Sequence, residues 1–213
     1  MTTVRVLRVF TDASGSSGNL LGVVRDAEQI AQSRRQAIAA ELGYSETVFV
    51  ERESQLQIFT PATELPFAGH PLVGSAWLLG RDVLHTPAGD VQARAEGARA
   101  WVSARPQWCP PFERIQLDDP AAVDAFAQPA SGSVEVWAWI DEPAGRIRAR
   151  VFAPDLGVPE DPATGSAAIA LCAALGRPIT IDQGPSCLID ARPLADGRVE
   201  LGGAVADDGE REL

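Results

Sequence analysis

Lysine is missing from this chain of 213 residues; all 18 basic side chains are arginine. Without a lysine amine no Schiff base can form, so covalently held pyridoxal phosphate and lysine-dependent aldol chemistry are excluded. Histidine occurs twice, at His70 and His85, and cysteine three times, at Cys109, Cys172 and Cys187, with no metal-ligand spacing among them. An odd cysteine count and no recognisable signal peptide lead us to expect a reducing cytoplasm. Positive charge is also short: 29 acidic residues leave a net charge of −11. That balance argues against nucleic acid and anionic membranes as partners. No apolar run approaches membrane-spanning length. Apolar residues as such are plentiful, at 46%, enough for the cores of one or two domains.

One stretch organises the rest. Glu160-Asp161-Pro162-Ala163-Thr164-Gly165-Ser166-Ala167 has an upstream echo in Gly69-His70-Pro71-Leu72-Val73-Gly74-Ser75-Ala76. Aligned on Gly-Ser-Ala, His70 matches Asp161 and Gly74 matches Gly165, each 91 positions apart. The lead-ins Ile58-Phe59-Thr60-Pro61 and Val151-Phe152-Ala153-Pro154 rhyme as well. Two copies of one strand–loop–helix unit account for this, with helices predicted to start near Gly74 and Gly165. Small residues at a helix start leave its first N–H groups exposed, and the macrodipole adds positive potential there. Two such ends facing one cleft would clamp a small carboxylate or phosphate, with His70 and Asp161 at its edges.

Four segments resemble the signatures of the phenazine-biosynthesis PhzF-like isomerases. They are Gly18-Asn19-Leu20-Leu21-Gly22-Val23-Val24, Ser45-Glu46-Thr47-Val48-Phe49-Val50, Leu65-Pro66-Phe67-Ala68-Gly69-His70-Pro71 and the Asp161 stretch, in the family's order. The resemblance implies a diaminopimelate-epimerase-like α+β fold. Two pseudo-symmetric domains would each wrap a mostly antiparallel sheet around a central helix, with the active site in the cleft between them. It also implies a cofactor-free isomerase, without metal, acting on a small carboxylate as a homodimer. Glu46 would move the proton, His70 and Asp161 would orient and polarise the substrate, and Ser45, Gly69, Gly165 and Ser166 would bind it. The chain departs from the family in two ways. It is short between its central meander and the strand at Val134, and Leu20 replaces the usual proline of Gly-Asn-Pro.

The remaining elements follow from patterning. Strands are predicted over 4–10, 20–24, 47–51 and 55–60, and a meander over 83–86, 89–95 and 98–104. A helix over 27–42 carries Asp26 as N-cap and Gly43 as C-cap. Gly15-Ser16-Ser17-Gly18 reads as an ordinary turn, since no Gly-Lys-Ser/Thr follows to make it a phosphate loop. The proline-rich segment 105–111 marks a boundary between domains 1–105 and 106–213. Beyond it come a helix near 120–127, a hairpin of 134–140 with 146–152, a helix over 166–175 closed by Gly176, and short strands near 178–181, 187–191 and 198–205. Asp207-Asp208-Gly209-Glu210 is expected to turn, and Arg211–Leu213 to cross back to the first domain.

Blander readings exist for each site residue. A glutamate before a strand is commonly a solvated edge charge, Asp before Pro is a good N-cap, and His85 belongs to the surface. Two other functional classes stay open. A non-catalytic carboxylate-binding relative is favoured by the short second domain. A two-base racemase is disfavoured because neither signature loop contains a cysteine.

Overall fold

The computed structural model describes residues 2–12 and 14–213. The first half runs β1 (Thr3–Thr11), β2 (Asn19–Val24), α1 (Gln32–Leu42), β3 (Glu46–Val50), β4 (Leu56–Phe59), β5 (Glu64–Leu65), α2 (Gly69–Leu79), β6 (Val83–Thr86), β7 (Gly89–Glu96) and β8 (Arg99–Ala104). The second runs β9 (Glu113–Gln116), α3 (Pro120–Ala125), β10 (Val134–Asp141), β11 (Arg146–Ala153), β12 (Val158–Asp161), α4 (Gly165–Leu175), β13 (Ile179–Gln183), β14 (Cys187–Pro193) and β15 (Val199–Glu212).

The halves repeat one plan. In each, a helix crosses between two parallel strands: β2–α1–β3, with Leu21 opposite Glu46, and β9–α3–β10, with Glu113 opposite Val134. A hairpin follows, β3–β4 or β10–β11, and its second strand pairs with a short strand that feeds the central helix. A later strand then pairs in parallel, by a single bridge from His85 of β6 to Gln55 just ahead of β4, or by the full β11–β13 ladder. β15 ties the halves together, pairing with β14, β8 and β1.

Helices α2 and α4 are apolar almost all round, as central helices must be. Gly69 through Ala76 are all buried, and so are Gly165 through Ile169 with Leu171 and Cys172. The main core therefore runs through both halves, from Leu7, Leu21 and Val48 to Ile169, Ile181 and Leu201. A smaller cluster of Val24, Ile38, Leu42, Phe49 and Phe59 lies under α1. Its counterpart under α3 holds Val123, Val134, Val136, Ala138 and Phe152. The two covering helices differ in length, since α3 has 6 residues where α1 has 11.

Four expectations need correction. Helix α1 starts at Gln32, and Ala27–Gln29 form a separate 3-10 turn. Asp26, with φ of 53°, makes no side-chain cap. The buried guanidinium of Arg35 takes over that joint by donating to the carbonyls of Ala27 and Ile30 (3.1 Å for Ile30). Asp207–Glu210 do not turn; they continue β15 through a bulge and pair with Arg5 and Arg8 across the ladder. The expected return of the chain end does occur, with Glu212 opposite Thr3. Strands β5, β9 and β12, each of four residues or fewer, escaped the sequence pattern.

The fourth correction concerns the repeat. Helix α2 begins at Gly69, five residues before Gly74, while α4 begins at Gly165 as expected. Gly69 thus matches Gly165, 96 positions on, and Leu65-Pro66-Phe67-Ala68-Gly69-His70 matches Asp161-Pro162-Ala163-Thr164-Gly165-Ser166. Strand pairing agrees, since Leu65 opposes Ile58 where Asp161 opposes Val151. The partner of His70 in the repeat is Ser166, not Asp161. Pro71 hides the true start because a proline in the first helical turn wastes no donor.

Candidate active site

The two central helices meet end to end. A Cβ added at Gly69 would stand 2.7 Å from the carbonyl carbon of Gly165, and one at Gly165 would stand 2.7 Å from the backbone nitrogen of His70. Only glycine permits that approach. It brings the free N–H groups of two first turns, and two positive dipole ends, to one spot.

Glu46 is the first residue of β3, and its side chain is 13% exposed. Its Oε2 lies 2.8 Å from His70 Nδ1. His70 itself is 2% exposed, and its other nitrogen, Nε2, is buried with no hydrogen-bond partner among the described residues. A buried imidazole nitrogen without a partner is costly unless something binds it.

Asp161 arrives from the other half, at the end of β12. Its Oδ1 accepts from Asn19 Nδ2 at 2.7 Å and Ser45 Oγ at 3.0 Å, and its Oδ2 from Thr164 Oγ1 at 2.7 Å. Burial and the nearby Glu46 carboxylate push Asp161 up to about 6; His70 and the Thr164 and Ser45 hydroxyls pull the other way. Beneath it, Gln183 donates to the Asp161 carbonyl at 2.8 Å and accepts from the Thr164 N–H at 3.1 Å.

All seven residues singled out from the sequence are thus gathered at the junction of the halves. Glu46 and His70 form a bonded pair, Ser45 reaches Asp161, Gly69 and Gly165 make the helix contact, and the buried Ser166 opens α4 beside it. Asn19, Thr164 and Gln183 were missed. Asn19 and Thr164 stood inside quoted motifs, while nothing near Gln183 in the sequence points to the site. His85 lies at the surface beside Asp90.

Residues 7–105 and 112–193 match the family model described as phenazine biosynthesis-like protein, PhzC-PhzF. The chain belongs to the PhzC-PhzF family. This PhzC-PhzF chain is 30% identical to the trans-2,3-dihydro-3-hydroxyanthranilate isomerase of Pseudomonas chlororaphis, covering 83% of this chain and 82% of that one. With the protein of the same name from Pseudomonas aeruginosa it shares 32% identity, over 78% and 77% of the two chains. A solved PhzF-family phenazine biosynthesis protein of Bacillus anthracis has the same fold, with a TM-score of 0.74 at 16% identity, covering all of this chain and 98% of that one. Among the described residues no helix is long and apolar enough to cross a membrane, and no three His, Cys, Asp or Glu side chains are grouped to hold a metal ion.

Proposed function

We propose that this isomerase shifts a proton, and with it a double bond, within a small cyclic or linear carboxylate, using Glu46 as the group that removes and returns the proton. His70 polarises the substrate through Nε2. The converging helix starts at Gly69, Gly165 and Ser166 hold its carboxylate, and Asp161, braced by Ser45, supplies a fixed negative charge. The observation that carries this reading is the buried, unpartnered His70 Nε2 beside a bonded and nearly enclosed Glu46. A polar atom in that position is made for a ligand, and a shielded carboxylate is suited to carbon-acid chemistry. The substrate of the named relatives, trans-2,3-dihydro-3-hydroxyanthranilate, is the first compound to try. The reading includes no cofactor, a division of the halves near Arg105, a cytoplasmic setting and a homodimer.

Glu46→Gln tests it. The variant keeps shape and hydrogen bonding but loses the base, so it should bind normally and turn over about 100- to 10,000-fold more slowly. In D₂O, wild type should place solvent deuterium on carbon. Full activity in Glu46→Gln would rule out Glu46 as the base.

A second reading, a carboxylate-binding relative without turnover, is favoured by the shortened α3. Tight binding with no turnover by wild type would select it. A two-thiol racemase is not supported. The repeat pairs His70 with Ser166, and burial pushes the Cys187 thiol up to about 11, where it is protonated at neutral pH.

A further inference from the structure

We propose that Gln183 is a positioning residue. Through the Thr164 hydroxyl it holds Asp161 as an acceptor-only carboxylate and so reserves proton transfer for Glu46. The inference rests on the reading of the site given above and assigns a division of labour within it.

The argument is one of hydrogen-bond direction. Gln183, the last residue of β13, is 2% exposed. Its Oε1 meets the Thr164 N–H, which can only donate, and its Nε2 meets the Asp161 carbonyl, which can only accept. These two contacts fix which way the amide points. Nε2 also lies 2.9 Å from Thr164 Oγ1, so it donates there too. The hydroxyl, accepting from Gln183, has its own proton left for Asp161 Oδ2. The other carboxylate oxygen is met in the same sense. Asn19 Nδ2 is held in place by the Ala163 carbonyl at 3.2 Å and donates to Oδ1. Ser45 Oγ lies 3.0 Å from that oxygen and 3.2 Å from Asn19 Oδ1, with one proton to share between them.

Asn19 and Thr164 are thus fixed as donors to the Asp161 carboxylate, while the Ser45 hydroxyl has a second acceptor, Asn19 Oδ1, for its one proton. A proton on Oδ2 would have to displace the Thr164 hydroxyl, so that bond favours the ionised form. The ionisable groups facing Asp161 from packed elements are Glu46 on β3, His70 on α2 and Cys187 on β14. Glu46 raises Asp161 and His70 lowers it; Cys187 is the neutral thiol already described. With Glu46 close by, one carboxylate of the pair is the natural carrier of any shared proton. The Thr164 hydroxyl, held by Gln183, opposes the rise that burial and Glu46 impose on Asp161.

The test reads Asp161 directly and needs no substrate. Protein labelled with ¹³C at the aspartate side-chain carboxyl is titrated by NMR, with Asp161→Asn identifying the resonance. Thr164→Val removes the hydroxyl but keeps the N–H bonded to Gln183, and Gln183→Met removes the relay at similar volume. Each should raise the Asp161 midpoint by about one pH unit, the size of one lost charge-assisted hydrogen bond. Thr164→Ser should retain the wild-type midpoint. If Gln183→Met fails to fold, the valine variant carries the same expectation. Wild-type titration in a folded Thr164→Val variant overturns the proposal. A shifted midpoint combined with full activity in Glu46→Gln would leave the relay standing and remove the catalytic reading. An unshifted midpoint with an inactive Glu46→Gln variant would do the reverse.

Discussion

Glu135 offers a sharp test of the energetics. It sits on β10 with Val134 and Val136 on either side facing the cluster under α3, so its own side chain lies on the opposite face with Trp137. Cross-strand pairing places it in one row with Val151 and Asp161. It is 1% exposed, its Oε2 has no partner among the described residues, and burial pushes it from 4.5 up to about 8, only partly offset by Arg114 on β9. Between those values the folded protein keeps the proton while the unfolded chain gives it up. The unfolded state then binds fewer protons, so stability falls as pH rises, by about 1.4 kcal/mol per pH unit. By about pH 7.5 the accumulated loss is about 4 kcal/mol, a large share of a typical domain's stability. Glu135→Gln has nearly the same shape and cannot ionise. It should match wild type at about pH 3, where Glu135 is protonated in both states, and exceed it by about 4 kcal/mol at about pH 7.5. Urea unfolding followed by tryptophan fluorescence across that range measures the difference. A wild-type-to-variant gap that does not change with pH would refute the reasoning.

Three further outcomes follow from the same structure. Gly165→Ala drives a methyl into the backbone of His70 and should cost about 1–3 kcal/mol in thermal unfolding; a Tm unchanged from wild type would contradict the end-to-end helix contact. Arg35→Met leaves the Ala27 and Ile30 carbonyls and Glu51 without their donor, for a loss of about 3 kcal/mol by urea titration, and Arg35→Lys should not restore it because an ammonium cannot reproduce the fork. Arg8→Ala, at the half-exposed pair with Asp208, should cost less than about 1 kcal/mol, and the loss should shrink in high salt; a salt-independent loss would assign Arg8 a buried role.

The repeat shows how letters and geometry can part. Matching Gly-Ser-Ala to Gly-Ser-Ala paired His70 with Asp161, because identical small residues carry the visible signal. The backbone instead aligns Pro66 with Pro162 and Gly69 with Gly165, where a strand ends and a helix must begin against its twin. Small residues recur throughout α2, so composition does not say which of them opens the helix. Contact with the other half does. The same holds for Asp207–Glu210, whose polar letters read as a turn until Arg5 and Arg8 stand opposite.

Much was decided by local chemistry alone. Alternating β-branched residues set most strands, the repeated Gly-Ser-Ala stretches marked two helices, and glycines at 43 and 176 end α1 and α4. The four signature segments named the family and carry Ser45, Glu46, Gly69, His70, Asp161, Gly165 and Ser166, which the fold gathers at the junction of the halves. Tertiary structure decided what each of these touches. His70 binds Glu46 24 residues away, Asp161 takes its donors from Asn19 and Ser45 in the other half, and Gln183 reaches it from 22 residues downstream. Secondary structure follows periods of two or 3.6 that a short window contains. A carboxylate's bonding shell and its burial are set by whichever strands the sheet makes adjacent, and that adjacency is not written in any one stretch of the chain.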